Sequence, residues 1–221
     1  MKVQAIIEKG REIYRNRNAR SQYILHFSLA ANIAFALLEL AEGLYFNSIW
    51  LVAIGVYYAV LGVMRFSLLR SIRTADAQGE KKAYFRTAIL LNMLTVTMTG
   101  IFAQLIIDDQ SFHYPGVLIY AMALWAFIKI ILAVKNLIQR RKEDEPILAA
   151  ARCLSFAAAL MSILALQTAL ISQFGEGEVD FAHTMNGIAG AVITALLITL
   201  SALMLAKSAG SQFPSVKDSH K

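Results

Sequence analysis

Two carboxylates, Glu39 and Glu42, stand three residues apart inside the apolar run Asn32–Arg65. That spacing puts both on one helix face, where they could bind a proton or a small cation. Placing an ionisable group at the centre of a bilayer costs at least ~2.5–3.5 kcal/mol, so such a group is a functional candidate. Glu39 lies six residues before Tyr45, about 9 Å along a helix, too deep for a short carboxylate to reach water easily. A purely structural role for it stands beside the functional one. Three polar stripes could line a cavity: Asn92, Thr95 and Thr99; Ser155 and Ser162, with Gln167 off their face; and His183, Asn186, Gly190, Thr194 and Ser201. Small and hydroxyl residues at helical spacing more often pack helices together than bind a solute.

Other chemistry is missing. There is no HExxH, no GxSxG, no CxxC and no paired aspartate for intramembrane proteolysis, so an enzyme is disfavoured, with no catalytic residue, cofactor or resident metal expected. The one cysteine, Cys153, excludes an internal disulfide. Acidic residues at Asp108, Asp109, Glu176, Glu178 and Asp180 could concentrate cations at one face. Equally, loops that lack Lys and Arg look acidic by subtraction.

The elements that carry these residues are set by composition. Of 221 residues, 57% are hydrophobic and 16% charged, with a mean hydropathy of +0.55; a soluble domain carries about 25% charged residues. A bilayer core of ~30 Å takes about 20 helical residues. Six runs satisfy this: Tyr23–Tyr45, Ser48–Leu69, Thr87–Ile107, Tyr114–Val134, Cys153–Phe174 and Phe181–Ala206. Barrel strands of ~10 residues are excluded by their length. The fold class expected is all-α, a polytopic membrane protein of six transmembrane helices.

Every Lys and Arg falls in alternate segments, within residues 1–22, 65–86, 129–152 and 207–221. Basic residues stay on the cytoplasmic side, so both termini are expected there, in a multi-pass cell-membrane protein. The net charge of +6 is then a topological signature, and nucleic acid is not an expected partner. The expected organisation is a basic segment 1–22, a transmembrane domain 23–206 and a tail 207–221. The first segment suits a helix lying on an anionic leaflet or a frayed basic lead-in. Residues 71–86 read as a solvated connector, and RRKEDE before Pro146 as an extension of the fourth helix with Pro146 starting the fifth. Arg65 and Lys129 fall near the inner ends of their spans and are expected to snorkel to the headgroups.

Asn32, Gly43, Asn47-Ser48 before an apolar second helix, then Arg65-Phe66, Lys82 and Arg86, resemble the transmembrane domain of the cation diffusion facilitator family of divalent-metal/proton antiporters. The resemblance covers the six-span layout and, locally, Asn32–Gly100. It implies a transport site built from two acidic-or-histidine pairs at i, i+4, on the second and fifth spans. The resemblance places those pairs at Tyr57/Leu61 and Ser155/Ala159. None of the four is a good zinc ligand. The family's histidine-rich loop is replaced by RRKEDE, and its C-terminal metal-binding domain has no counterpart after Ala206. The resemblance therefore implies a transporter-like protein without the family's zinc site, which either carries a different, proton-coupled solute through a cavity between the second and fifth spans or no longer transports; a small cation or a proton is the expected small partner beside the lipid bilayer. Glu39, Tyr57, Leu61, Ser155, Ala159, Asn92 and Asn186 are the candidate cavity residues. The alternative is a non-transporting scaffold or regulatory subunit, in a homo- or hetero-oligomer, that binds another membrane protein.

Overall fold

A computed structural model describes residues 25–74, 77–107, 123–124, 127–128, 130–131, 146–174 and 179–209. They form five long helices: α1 (Leu25–Tyr45), α2 (Ile49–Thr74), α3 (Ala77–Ile107), α4 (Pro146–Phe174) and α5 (Val179–Ala209). All five contain stretches long and apolar enough to cross a membrane. The described residues of the run 114–134 are also helical. The remainder of that run, Lys129 included, lies outside the described residues, as do segments 1–24 and 210–221 and the RRKEDE block. In sequence order α4 is the fifth expected span and α5 the sixth.

The helices outrun the apolar runs at the basic end. Residues 71–86, expected as a solvated connector, are helical up to Thr74 and again from Ala77. The 31 residues of α3 rise about 46 Å, well beyond a ~30 Å core. Hydropathy marks where lipid begins; it does not mark where a charged helix must end. Pro146 opens α4 as expected, since its missing N–H is at a position with no intrahelical partner anyway.

α1 and α2 form a tight helical hairpin. Asn47 carries a φ of 51°, a left-handed conformation that asparagine tolerates better than most residues. The Phe46 N–H donates to the Glu42 carbonyl and the Ser48 N–H to the Gly43 carbonyl, closing the end of α1. The Ser48 hydroxyl accepts from the Leu51 N–H, an N-cap for α2. Gly43 then lets α1 lie against the backbone of α2: a Cβ there would stand 2.6 Å from the Val52 nitrogen.

α2 and α4 form the interior, 61% and 72% buried over their apolar windows against 28–33% for the other three. The lipid face of α2 is spaced by sevens, with Ile49, Val56, Val63 and Arg70 all exposed. α4 packs through small side chains, with Ala150, Ala157, Ala158, Ala165 and Ala169 buried. Small residues matter here because lipid tails are as apolar as leucine, so close van der Waals contact has to hold the helices together. α3 touches α2, α4 and α5. Its most extensive contact is with α5, where the Phe102 ring occupies the space a Cβ at Gly190 would take.

Candidate functional site: a polar seam between α2 and α4

The Ser and Thr hydroxyls of α4 that face α2 are satisfied within their own helix. Ser155 donates to the Ala151 carbonyl (2.9 Å), Ser162 to Ala158 (2.9 Å) and Thr168 to Leu164 (3.0 Å). Each satisfies its donor within its own helix and keeps lone pairs for a neighbour. Those lone pairs face α2, which meets them with three donors. The Trp50 indole N–H makes a long contact to the Thr168 hydroxyl (3.4 Å). The Tyr58 hydroxyl lies 2.6 Å from the Ser162 hydroxyl and 3.2 Å from the Ala158 carbonyl. With the Ser162 proton directed at Ala158, Tyr58 is the donor. Below it the Arg65 guanidinium donates to the Ser155 hydroxyl (3.1 Å). As α2 descends through residues 50, 58 and 65, α4 ascends through 168, 162 and 155, so the rungs share one antiparallel register.

A carboxylate borders the middle rung. Glu39 is fully buried, within electrostatic reach of Tyr58. Leu40, its neighbour, lies where a Cβ at Gly55 would be, at 2.7 Å. The Phe35 ring packs edge-on to Tyr58 at 5.4 Å. α1, α2 and α4 thus converge on one polar point surrounded by apolar side chains. Tyr57 is also fully buried, its ring 6.0 Å from that of Tyr58, and its hydroxyl has no hydrogen-bond partner among the described residues.

Of the residues singled out in the sequence, Ser155 joins the seam, and Glu39 and Tyr57 border it. Leu61 is buried in the hydrophobic core, and Ala159 is buried as well. Asn92 belongs elsewhere: its amide donates to Ser201 (2.9 Å) across the α3–α5 contact. One turn or two above, Thr99 approaches Thr194 (3.5 Å), so these two stripes pack helices together. Asn186 is half-buried on α5, its carbonyl oxygen without a partner among the described residues. Gln167, next to it, donates to the Met185 carbonyl (3.0 Å).

Arg65 departs from expectation. It does not snorkel; it is 3% exposed and turned into the bundle toward Ser155. The heptad spacing explains the difference. Arg65 follows Tyr58 by seven residues and so shares its face, whereas the lipid-facing positions near it are Val63 and Phe66. Tyr58, Trp50 and Thr168 were not singled out in the sequence. The signal that finds them is polar tips repeating at about seven residues on the one face of α2 opposite the Ser155/Ser162 stripe.

No protein-family model and no curated protein sequence matches this chain. Among the described residues, no three His, Cys, Asp or Glu side chains gather as metal ligands. The positions that the cation-efflux resemblance singles out carry a phenol, an isobutyl group, a hydroxyl and a methyl.

Proposed function

We propose that this protein is a polytopic membrane transporter-like protein with cation-efflux-like packing and no divalent-metal site. Its ion path runs along the α2–α4 seam past Glu39. In this reading six helices cross the cell membrane, both termini are cytoplasmic, and the species moved is a proton or a small monovalent cation. The observation that carries the reading is the full burial of Glu39 at the level of the Tyr58–Ser162 pair. A hydrogen bond between helices in a membrane averages about 0.6 kcal/mol, while a buried charge costs several times that. A glutamate that only packed helices would be a poor choice there. A carboxyl that alternates between protonated and ionised forms beside a phenol–hydroxyl pair has a reason to be there.

Purified protein in liposomes loaded with a pH-sensitive dye tests this. An imposed pH gradient should dissipate faster than in empty liposomes, and Glu39→Gln should abolish the difference. Protein-dependent flux that survives Glu39→Gln would sink the proposal. Zn²⁺ or Mn²⁺ flux that disappears on Tyr57→Ala or Ser155→Ala would overturn the loss of the metal site.

One observation favours a second reading, a non-transporting scaffold or regulatory subunit. The middle and lower rungs are in direct contact, and large apolar faces of α1, α3 and α5 remain exposed. In that reading no flux is seen, and the protein co-purifies from native membranes in fixed stoichiometry with another membrane protein.

A further inference from the structure

The lowest rung of the seam does not balance. Arg65 is 3% exposed. Among the described residues its single hydrogen-bond partner is the neutral Ser155 hydroxyl, its Nε has no partner, and no carboxylate is paired with it. A permanently charged guanidinium presents five donors in a planar fork suited to carboxylate or phosphate oxygens. Taking it out of water costs several kcal/mol unless an anion answers it. One neutral acceptor does not.

Depth and surroundings say what kind of anion. From Ile49 to Arg65 the helix rises about 24 Å, which leaves Arg65 about 6 Å inside a ~30 Å core. It sits toward the end of the bundle where Arg70, Lys81, Lys82, Arg86, Arg152 and Lys207 are placed. Arg152, one turn from Ser155, and Lys207, on α5, both lie within electrostatic reach of Cys153. Ser155 and Phe156 are only half-buried, so the seam is less closed at this level than at the fully buried Tyr58. The basic face just outside Arg65 draws the phosphates of anionic headgroups, the nearest anions to a charge that lies only about 6 Å inside the core.

The geometry points to a phosphate-binding site between α2 and α4, in which Arg65 supplies the charge and Ser155 fixes the direction of its fork. The oxyanion is a phosphate ester, from a phospholipid headgroup or from a water-soluble phosphate entering at the basic end. The site rests on α2 and α4 crossing the bilayer and is independent of whether anything is transported.

Thermal unfolding of the full chain in neutral detergent tests it. Phosphatidylglycerol should raise Tm by several degrees in a saturable titration, and a galactolipid without phosphate should not. Arg65→Gln should lose the shift, while Arg70→Gln, at an exposed position, should keep it. In lipid-free detergent Arg65→Gln should be at least as stable as the wild type, because the unanswered charge is gone. A shift reproduced by glycerol phosphate and lost in Arg65→Gln assigns the site to free phosphate esters as well as lipid; a shift with lipid alone assigns it to the headgroup. If Arg65→Gln does not fold, Ser155→Ala keeps the charge, and its titration midpoint should rise several-fold. An unchanged midpoint in Ser155→Ala, an equal shift in Arg65→Gln, or no shift in the wild type overturns the site.

Discussion

At Tyr58 one atom serves two purposes. Its hydroxyl ties α2 to α4 through Ser162, and it stands beside the Glu39 carboxyl. These purposes separate experimentally. Tyr58→Phe keeps the ring against Phe35 and removes only the hydroxyl, so it should cost about 0.6 kcal/mol, the average for such bonds in a membrane. A double-mutant cycle with Ser162→Ala, measured by unfolding in detergent, should return a coupling of that order. Flux in liposomes should fall far more than this small loss of stability explains; equal losses in both would leave Tyr58 a packing residue alone. Glu39 was legible in the sequence because a carboxylate in an apolar run stands out. Tyr58 and Trp50 were not, because aromatic residues in such runs are ordinary core residues and only the opposite helix reveals which of them carries a hydrogen bond. Arg65 was misplaced for the same reason: depth was readable from the count of residues, but direction was not.

Among the elements, the helix contacts rest on glycines whose absent side chains admit a neighbour. At Gly190 the intruder is the Phe102 ring, itself packed 5.5 Å from Trp50. Gly190→Leu should therefore separate α3 from α5 and lower Tm by far more than a surface change, on the order of 3 kcal/mol as overpacking goes. Phe102→Ala made in the same chain should restore part of it, and absence of rescue would show the clash lies elsewhere. At the α1–α2 turn, Asn47→Gly should be nearly neutral, because either residue accepts a positive φ. Asn47→Val should destabilise by about 1–2 kcal/mol, read from unfolding midpoints. The existence of these helices was plain in the hydropathy. Their ends at Thr74 and Ala77 were not, because charged residues in 71–86 look the same in a solvated loop and in a helix that projects from the bilayer.

For the molecule as a whole, the exposed residues are mostly what lipid requires. Phe27, Leu37, Val63, Met93, Val96 and Leu203 are all more than half exposed and apolar. Phe66→Lys, exposed and near the basic end, should be tolerated because the chain can snorkel. Val56→Lys, nearer the middle of α2, should reduce the amount of protein inserted in membranes, by the roughly 2.5–3.5 kcal/mol such a charge costs there. Equal insertion of the two variants would argue against a bilayer around this face. Sidedness rests on the same charge pattern. Cys153, the sole thiol and half-buried at the basic end, should react with a membrane-impermeant reagent from the cytoplasmic side only; reaction from the outer side alone would invert the arrangement.

The register of the seam limits how the bundle can move. Its rungs recur at six to eight residues along both helices, a rise of about 9–12 Å. Sliding α4 past α2 by one turn would break all three contacts and set their hydroxyls and donors against alanine and leucine. No intermediate register restores them, so the seam opposes shear between these two helices. In the transport reading proposed above, a change of access that keeps these contacts takes the two helices together as one unit, rocking against α1, α3 and α5. Glu39, carried on α1, would then be the group whose surroundings change with each stroke.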